Sequence, residues 1–105
     1  PEITTQYVKP NVRHVWHLYT ILLNDVDRDE FFRLMRKKNI GVNVHYIPVY
    51  KHSYYKRFNY DQKSFPVTED VFHRIITLPL FPKMSDEDVL DVIDAVKESI
   101  REIKM

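Results

Sequence analysis

Between His14 and Asn24 the chain reads HVWHLYTILLN, too apolar on both alternating faces to lie on a surface. In an extended segment Trp16, Leu18, Thr20 and Leu22 fall on one side, and Val15, His17, Tyr19, Ile21 and Leu23 on the other. Such a strand belongs inside a sheet, buried on both faces or at least in a central place. The next residues supply the cover. Asp27 can accept from the free amides of a helix start, with Glu30 at capping-box spacing. Phe31, Leu34 and Met35 make the buried stripe of that helix, while Arg33, Arg36, Lys37 and Lys38 fall outward toward its negative end. Asn39 stands where a left-handed cap is wanted. Gly41–Tyr50 (GVNVHYIPVY) then predicts a short strand through Ile47, ended by Pro48, which cannot donate to a ladder.

Residues 1–13 (PEITTQYVKPNVR) are polar, carry no helical period and read as a lead-in or linker, which leaves 14–105 as one domain. Residues 49–63 (VYKHSYYKRFNYDQK) alternate aromatic and basic side chains and predict a short helix from about His52 to Arg57. After the break at Phe65-Pro66, Thr68 is placed to cap a second short helix through about Arg74, with Val71 and Phe72 facing inward. Ile75–Leu80 reads as a third strand. Ser85 caps the last helix, Asp86, Glu87 and Asp88 occupy its positive first turn, and Val89, Ile93, Val96, Ile100 and Ile103 form its expected stripe. This order predicts an α/β (α+β) two-layer sandwich, a small sheet of about three strands covered by helices. With so aromatic a loop, such a domain is expected to pack against something larger.

Composition narrows the chemistry. The chain has no cysteine, so disulfide and thiolate chemistry are excluded, and a cytoplasmic setting fits. It has no apolar run of the ~20 residues that a membrane span needs. A single glycine leaves no phosphate loop or dinucleotide fingerprint. Net charge is only +1, yet residues 1–60 hold ten Lys/Arg against five Asp/Glu. That leaves one locally positive face around the Gly41–Tyr50 segment, which a solvated surface also explains.

The histidines His14, His17, His45, His52 and His73 are scattered without HExxH spacing, so no metal site is expected. No serine lies in a nucleophile motif, and the acids cluster at helix starts, where capping accounts for them. Tyr50, Tyr54, Tyr55, Phe58 and Tyr60 interleave with Lys51, Lys56 and Arg57, the mixture of a platform for single-stranded nucleic acid. Core packing explains those aromatics more economically, and nucleic acid is the alternative partner. His45, Tyr46 and Tyr50 remain: donors suited to phosphate or hydroxyl groups, placed where a strand meets a loop. By spacing alone, packing is favoured over chemistry for them as well.

Five segments then tip the balance. His17-Leu18-Tyr19, Arg28-Asp29-Glu30-Phe31, Asn39 through Tyr50, Phe65-Pro66-Val67-Thr68-Glu69 and Leu78-Pro79-Leu80-Phe81-Pro82 follow in that order. Together they resemble the C-terminal small domain of the DegT/DnrJ/StrS sugar aminotransferases, over about His14 to Ile103. The resemblance implies an enzyme dependent on pyridoxal phosphate that moves an amino group, usually from glutamate, to a nucleotide-linked keto-sugar in polysaccharide and cell-envelope sugar biosynthesis. It implies a large N-terminal domain holding the cofactor and its Schiff-base lysine, and a homodimer when full length. This chain is then a fragment or separately encoded piece, inactive alone. His45 and Tyr46 match the family's His-Tyr pair before the proline, near the nucleotide-sugar site. Tyr50 falls where many members have histidine, and Asn39 replaces a usual glycine.

Overall fold

The structure is a computed structural model describing residues 1–105. Three strands, β1 (Ile3–Thr5), β2 (Tyr19–Leu23) and β3 (Ile75–Leu78), form an antiparallel sheet in the order β1-β2-β3. Four helices accompany it: α1 (Arg28–Lys37), α2 (Ser53–Lys56), α3 (Pro66–Arg74) and α4 (Asp86–Lys104). The expected α/β two-layer arrangement with three strands is borne out, but the three strands are not all the expected ones.

The apolar segment does supply the central strand, shortened to Tyr19–Leu23; Ile21 pairs with Thr5 on one side and Ile76 on the other. The third strand is present but two residues shorter than expected, ending at Leu78 before Pro79. The lead-in contains a strand. Ile3, Thr4 and Thr5 pair with Leu23, Leu22 and Ile21, and polar side chains fasten them. Asn24 donates its backbone N–H to the Glu2 carbonyl at 2.8 Å and its Nδ2 to Pro1 O and Thr4 Oγ1. Gln6 Nε2 donates to Thr20 Oγ1. Two β-branched threonines and an isoleucine were signal enough for a strand, but the surrounding prolines masked it.

The strand expected at 42–47 is reduced to one residue pair. Asn43 and Thr77 exchange both backbone bonds (3.1 and 2.7 Å), and there the ladder stops. The next ladder pair would be His45 with Ile75, but the Ile75 N–H donates to Val71 O at the end of α3 and its carbonyl accepts from Arg28 Nη1 at 3.1 Å, while Asn43 Oδ1 accepts the Val44 N–H at 2.8 Å. Pro48 then removes another donor.

Helix α1 begins as predicted. The Asp27 carboxylate accepts from Asp29 N and Glu30 N. Glu30 does not reach back to complete a capping box; it accepts from Arg33 at 2.6 and 3.1 Å instead. The helix closes on Asn39 at φ 63°, with Asn39 N donating to Arg36 O and Ile40 N to Met35 O, the paired bonds of a Schellman motif. Helix α3 starts at Pro66, not at Thr68: proline at the first helical position lacks only an N–H that would have been unpaired. Val71 and Phe72 are half-buried.

The capping box appears on α4, where Ser85 Oγ accepts from Asp88 N and Asp88 Oδ2 from Ser85 N, both at 3.0 Å. Its buried face is Val92, Ala95, Val96 and Ser99 rather than the full predicted stripe. Val89 and Ile93 are 42% and 40% exposed, Val96 is buried, and Ile100 and Ile103 flank the core. Small Ala95 and Ser99 explain the rotation, because they let α4 seat closely against α1, with Ser99 Oγ 3.5 Å from Met35 Sδ. The core joins Ile21, Leu23, Phe31, Met35, Val42 and Ile76 to that face.

Two arginines fix α3 relative to the rest. Arg28 Nη1, nearly buried, donates to the carbonyls of Phe72 (2.7 Å) and Ile75 (3.1 Å). Arg74 donates to Leu23 O and Asn24 Oδ1. No helix is long and apolar enough to cross a membrane.

Candidate functional site

The Asn43–Thr77 pair fixes the start of a strap that runs out from the sheet edge. Two residues on, His45 Nδ1 lies 2.8 Å from Thr77 Oγ1, so the same buried threonine holds the strap by backbone and by side chain. The His45–Tyr46 peptide is cis, and the two rings meet edge-on at 4.5 Å. Tyr46 is 68% exposed, and Ile47 and Val49 are also exposed, whereas Pro48 between them is buried. A single helical turn, Val49–Lys51, follows, with Lys51 N donating to Pro48 O at 2.9 Å.

Tyr50 points to a different neighbour. Its ring stacks on Phe65 at 4.8 Å and 16°, and its hydroxyl donates to Glu69 Oε1 on α3. Burial, then the hydrogen bond to Glu69 and its negative charge, push the Tyr50 hydroxyl up to about 12. The hydroxyl's donation, with Lys51 and His73 beside it, holds the Glu69 carboxyl below the usual carboxylate range against the opposing effect of burial. Lys51 Nζ lies 3.2 Å from Glu69, and His73 Nε2 3.4 Å from it. Lys51 also sits over the Phe72 ring at 5.0 Å, a face it shares with Arg28.

The strap therefore divides the three residues singled out by sequence. His45 and Tyr46 form one aromatic pair at the outer edge; Tyr50 is engaged on α3. Thr77 and Glu69, which hold the two ends, escaped the sequence reading. Glu69 is four residues before His73, a spacing that could have flagged it. Nothing in the sequence links it to Tyr50.

The positive face is also less free than its composition suggests. Lys38 pairs with Glu102 at 3.0 Å, Arg33 with Glu30 and Lys51 with Glu69. Arg36 donates to the Val42 carbonyl. Arg57 lies over its own neighbour Tyr54 at 4.2 Å and donates to that hydroxyl, and Tyr54, Tyr55, Phe58 and Tyr60 are exposed, not packed in the core as expected. No three His, Asp or Glu side chains converge on a possible metal position.

The concavities lie elsewhere. One of about 420 Å³ opens between Asn39–Gly41 and Met84–Val92. Another, about 330 Å³, is a largely apolar groove between Tyr19, Leu78 and Leu80 and the Val89–Ile93 side of α4. Neither includes His45, Tyr46 or Tyr50, which stand on an open edge rather than in an enclosed pocket.

Residues 1–97 match the model of the DegT/DnrJ/EryC1/StrS aminotransferase family. The chain belongs to this family. It is 40% identical, over 96% of its length, to the spore coat polysaccharide biosynthesis protein SpsC of Bacillus subtilis. It is 34% identical, over 91%, to dTDP-3-amino-3,6-dideoxy-alpha-D-galactopyranose transaminase of Aneurinibacillus thermoaerophilus. Among solved structures, it superposes on the PMP form of the sugar aminotransferase Spr1654 of Streptococcus pneumoniae with a TM-score of 0.88, at 29% identity and over 97% of this chain. The chain spans only 28%, 26% and 27% of these three proteins.

The residues of this DegT-family chain do not form a cradle for pyridoxal phosphate. At the start of α1 Asp27 takes the Asp29 and Glu30 amides, at the start of α4 Ser85 takes that of Asp88, and the carboxylates at both places oppose a phosphate. Lys51, the lysine nearest the strap's aromatic residues, is committed to Glu69.

Proposed function

We propose that this chain is the small domain of an aminotransferase that uses pyridoxal phosphate to transfer an amino group, from glutamate, to a nucleotide-linked keto-sugar. The family match over residues 1–97 carries this reading. The relative from A. thermoaerophilus, whose name specifies a dTDP-amino sugar, supports the substrate class. The cofactor supplies the imine chemistry and is held by the rest of the enzyme, with its Schiff-base lysine; this domain alone is inactive.

Within that enzyme, His45 and Tyr46 form one wall of the nucleotide-sugar site. The His45 ring is held at Nδ1 by Thr77, which leaves Nε2 for a hydroxyl or phosphate oxygen. The exposed Tyr46 face is available to a base or sugar ring. Covering this edge with substrate and the remaining enzyme would exclude water from the reacting centre. Tyr50 contributes through its position on the strap. The full-length enzyme works as a homodimer in the cytoplasm.

The test is direct. Joined to the cofactor-binding domain of the B. subtilis relative, the chain should restore cofactor absorbance and transamination of a dTDP-linked keto-sugar, and Tyr46→Ala should raise KM about tenfold or more, equivalent to about 1.4 kcal/mol. Thr77→Val, which frees the His45 ring, should weaken the same step. A folded chimera that loads cofactor but turns over only substrates other than sugar nucleotides would sink the reading.

A further inference from the structure

The strap between Asn43 and α2 buries Pro48 but carries exposed Tyr46, Ile47 and Val49, so burial alone does not fix its shape. Its ends must be held by specific contacts. Thr77 holds the first end through His45. At the second end, the Glu69 carboxylate on α3 receives the Tyr50 hydroxyl and the Lys51 ammonium, at adjacent positions of one turn. We propose that Glu69 is a positioning residue: from α3 it clamps the Tyr50–Lys51 turn, and so sets where His45 and Tyr46 stand at the substrate-facing edge.

Several observations converge on this role. Glu69 lies on a helix that Arg28 and Arg74 lock to α1 and β2, so its carboxylate is a fixed point rather than a floating surface charge. Tyr50 is restrained twice, by the Phe65 stack and by the hydroxyl bond, which fixes both its plane and its rotation. Lys51 is restrained by charge and by the Phe72 face. His73 approaches the same carboxylate from the next turn of α3, while Arg28, the other cation on Phe72, is committed to backbone carbonyls. Neutralised in this way, Lys51 serves the shape of the strap and not the attraction of a diphosphate. Glu69 and Tyr50 are 19 residues apart, so the clamp also closes the exposed aromatic segment between them into a loop.

This inference rests on the substrate-wall reading for its consequence but not for its test. In protein labelled at the tyrosine ring carbons and backbone nitrogens, Tyr50 is assigned through Tyr50→Phe. Glu69→Gln and Tyr50→Phe should each speed amide exchange at Lys51 and His52 about tenfold or more, as expected of a local opening. Both should also shift the His45 and Tyr46 signals, and Glu69→Asp should recover part of the effect. Exchange at Leu23 and Ile76, in the sheet, should stay as in the wild type. Unchanged strap exchange and unchanged His45 and Tyr46 signals in both variants would overturn the clamp; should Glu69→Gln not fold, Tyr50→Phe decides alone. Binding of dTDP-glucose to the chimera with the cofactor-binding domain, followed by the labelled tyrosine signals, separates the two readings. Absence of binding to the wild type counts against the substrate wall while strap exchange still decides the clamp. Wild-type binding retained at full strength in variants with a loosened strap would likewise overturn the positioning role.

Discussion

Tyr50 stands four residues beyond Tyr46 on the strap, with its ring stacked on Phe65. Its place in HYIPVY suggested a hydroxyl offered to substrate, yet that hydroxyl is given to Glu69. The pair has a signature at both ends of the pH scale. The Glu69 carboxyl is depressed in the folded state, so its contribution is present above the unfolded value near 4.5 and is lost as pH falls through the folded value. The Tyr50 hydroxyl is raised, so its contribution is intact below about 10 and is lost as pH rises toward about 12. Melting temperature should therefore fall on the acid side below pH 4.5 and on the alkaline side above pH 10. Tyr50→Phe should flatten the alkaline arm and blunt the acid one. At pH 11 an ordinary phenol is about nine-tenths ionised, whereas Tyr50 should remain about nine-tenths protonated, visible as one tyrosine of seven that lags in ultraviolet titration. Seven tyrosines ionising together would contradict the contact.

At the scale of elements, local chemistry was legible and long-range choice was not. Asp27, Asn39 and Ser85 announce their roles because a cap depends on a few neighbouring residues. The 42–47 segment failed as a strand because Ile75, the partner His45 would need, gives its N–H to Val71 and its carbonyl to Arg28, a long-range competition that an alternating pattern of apolar residues does not reveal. On α4 the pattern placed Val89, Ile93, Val96, Ile100 and Ile103 inward, and the close approach to Met35 selected a rotated face with Ala95 and Ser99 instead. This choice makes an unusual prediction. Ser99→Leu, which would extend the apolar face, should destabilise the chain by about 1–3 kcal/mol through overpacking. Ile93→Ser, on the stripe favoured by pattern, should cost less, because that side chain is 40% exposed. Urea unfolding midpoints decide between the stripes: a larger loss at Ile93 than at Ser99 would restore the pattern's choice.

The whole molecule is more open than its length requires. Its radius of gyration is 15.7 Å, whereas a compact domain of about 100 residues has about 13 Å. Only 13 of 105 residues are buried, so the core is small for the chain that surrounds it. Exposed apolar side chains form several patches, among them Tyr46, Ile47 and Val49 on the strap, Tyr54, Tyr55, Phe58 and Tyr60 after it, and Leu80, Val89 and Ile93 at the groove beside α4. Patches of this kind are characteristic of surfaces that are covered in the working protein. The relatives are about four times as long as this chain, so in them other segments are available to cover the same faces. Alone, it should bind the dye ANS and self-associate at concentrations where a polar-surfaced domain stays monomeric. Leu80→Lys together with Ile93→Lys should suppress both effects while moving the unfolding midpoint by less than about 1 kcal/mol, since exposed positions tolerate charge. Sedimentation velocity gives the decision: a monomer with no dye binding before any substitution would mean that these side chains shield one another, and that the openness of the fold does not signal a missing neighbour.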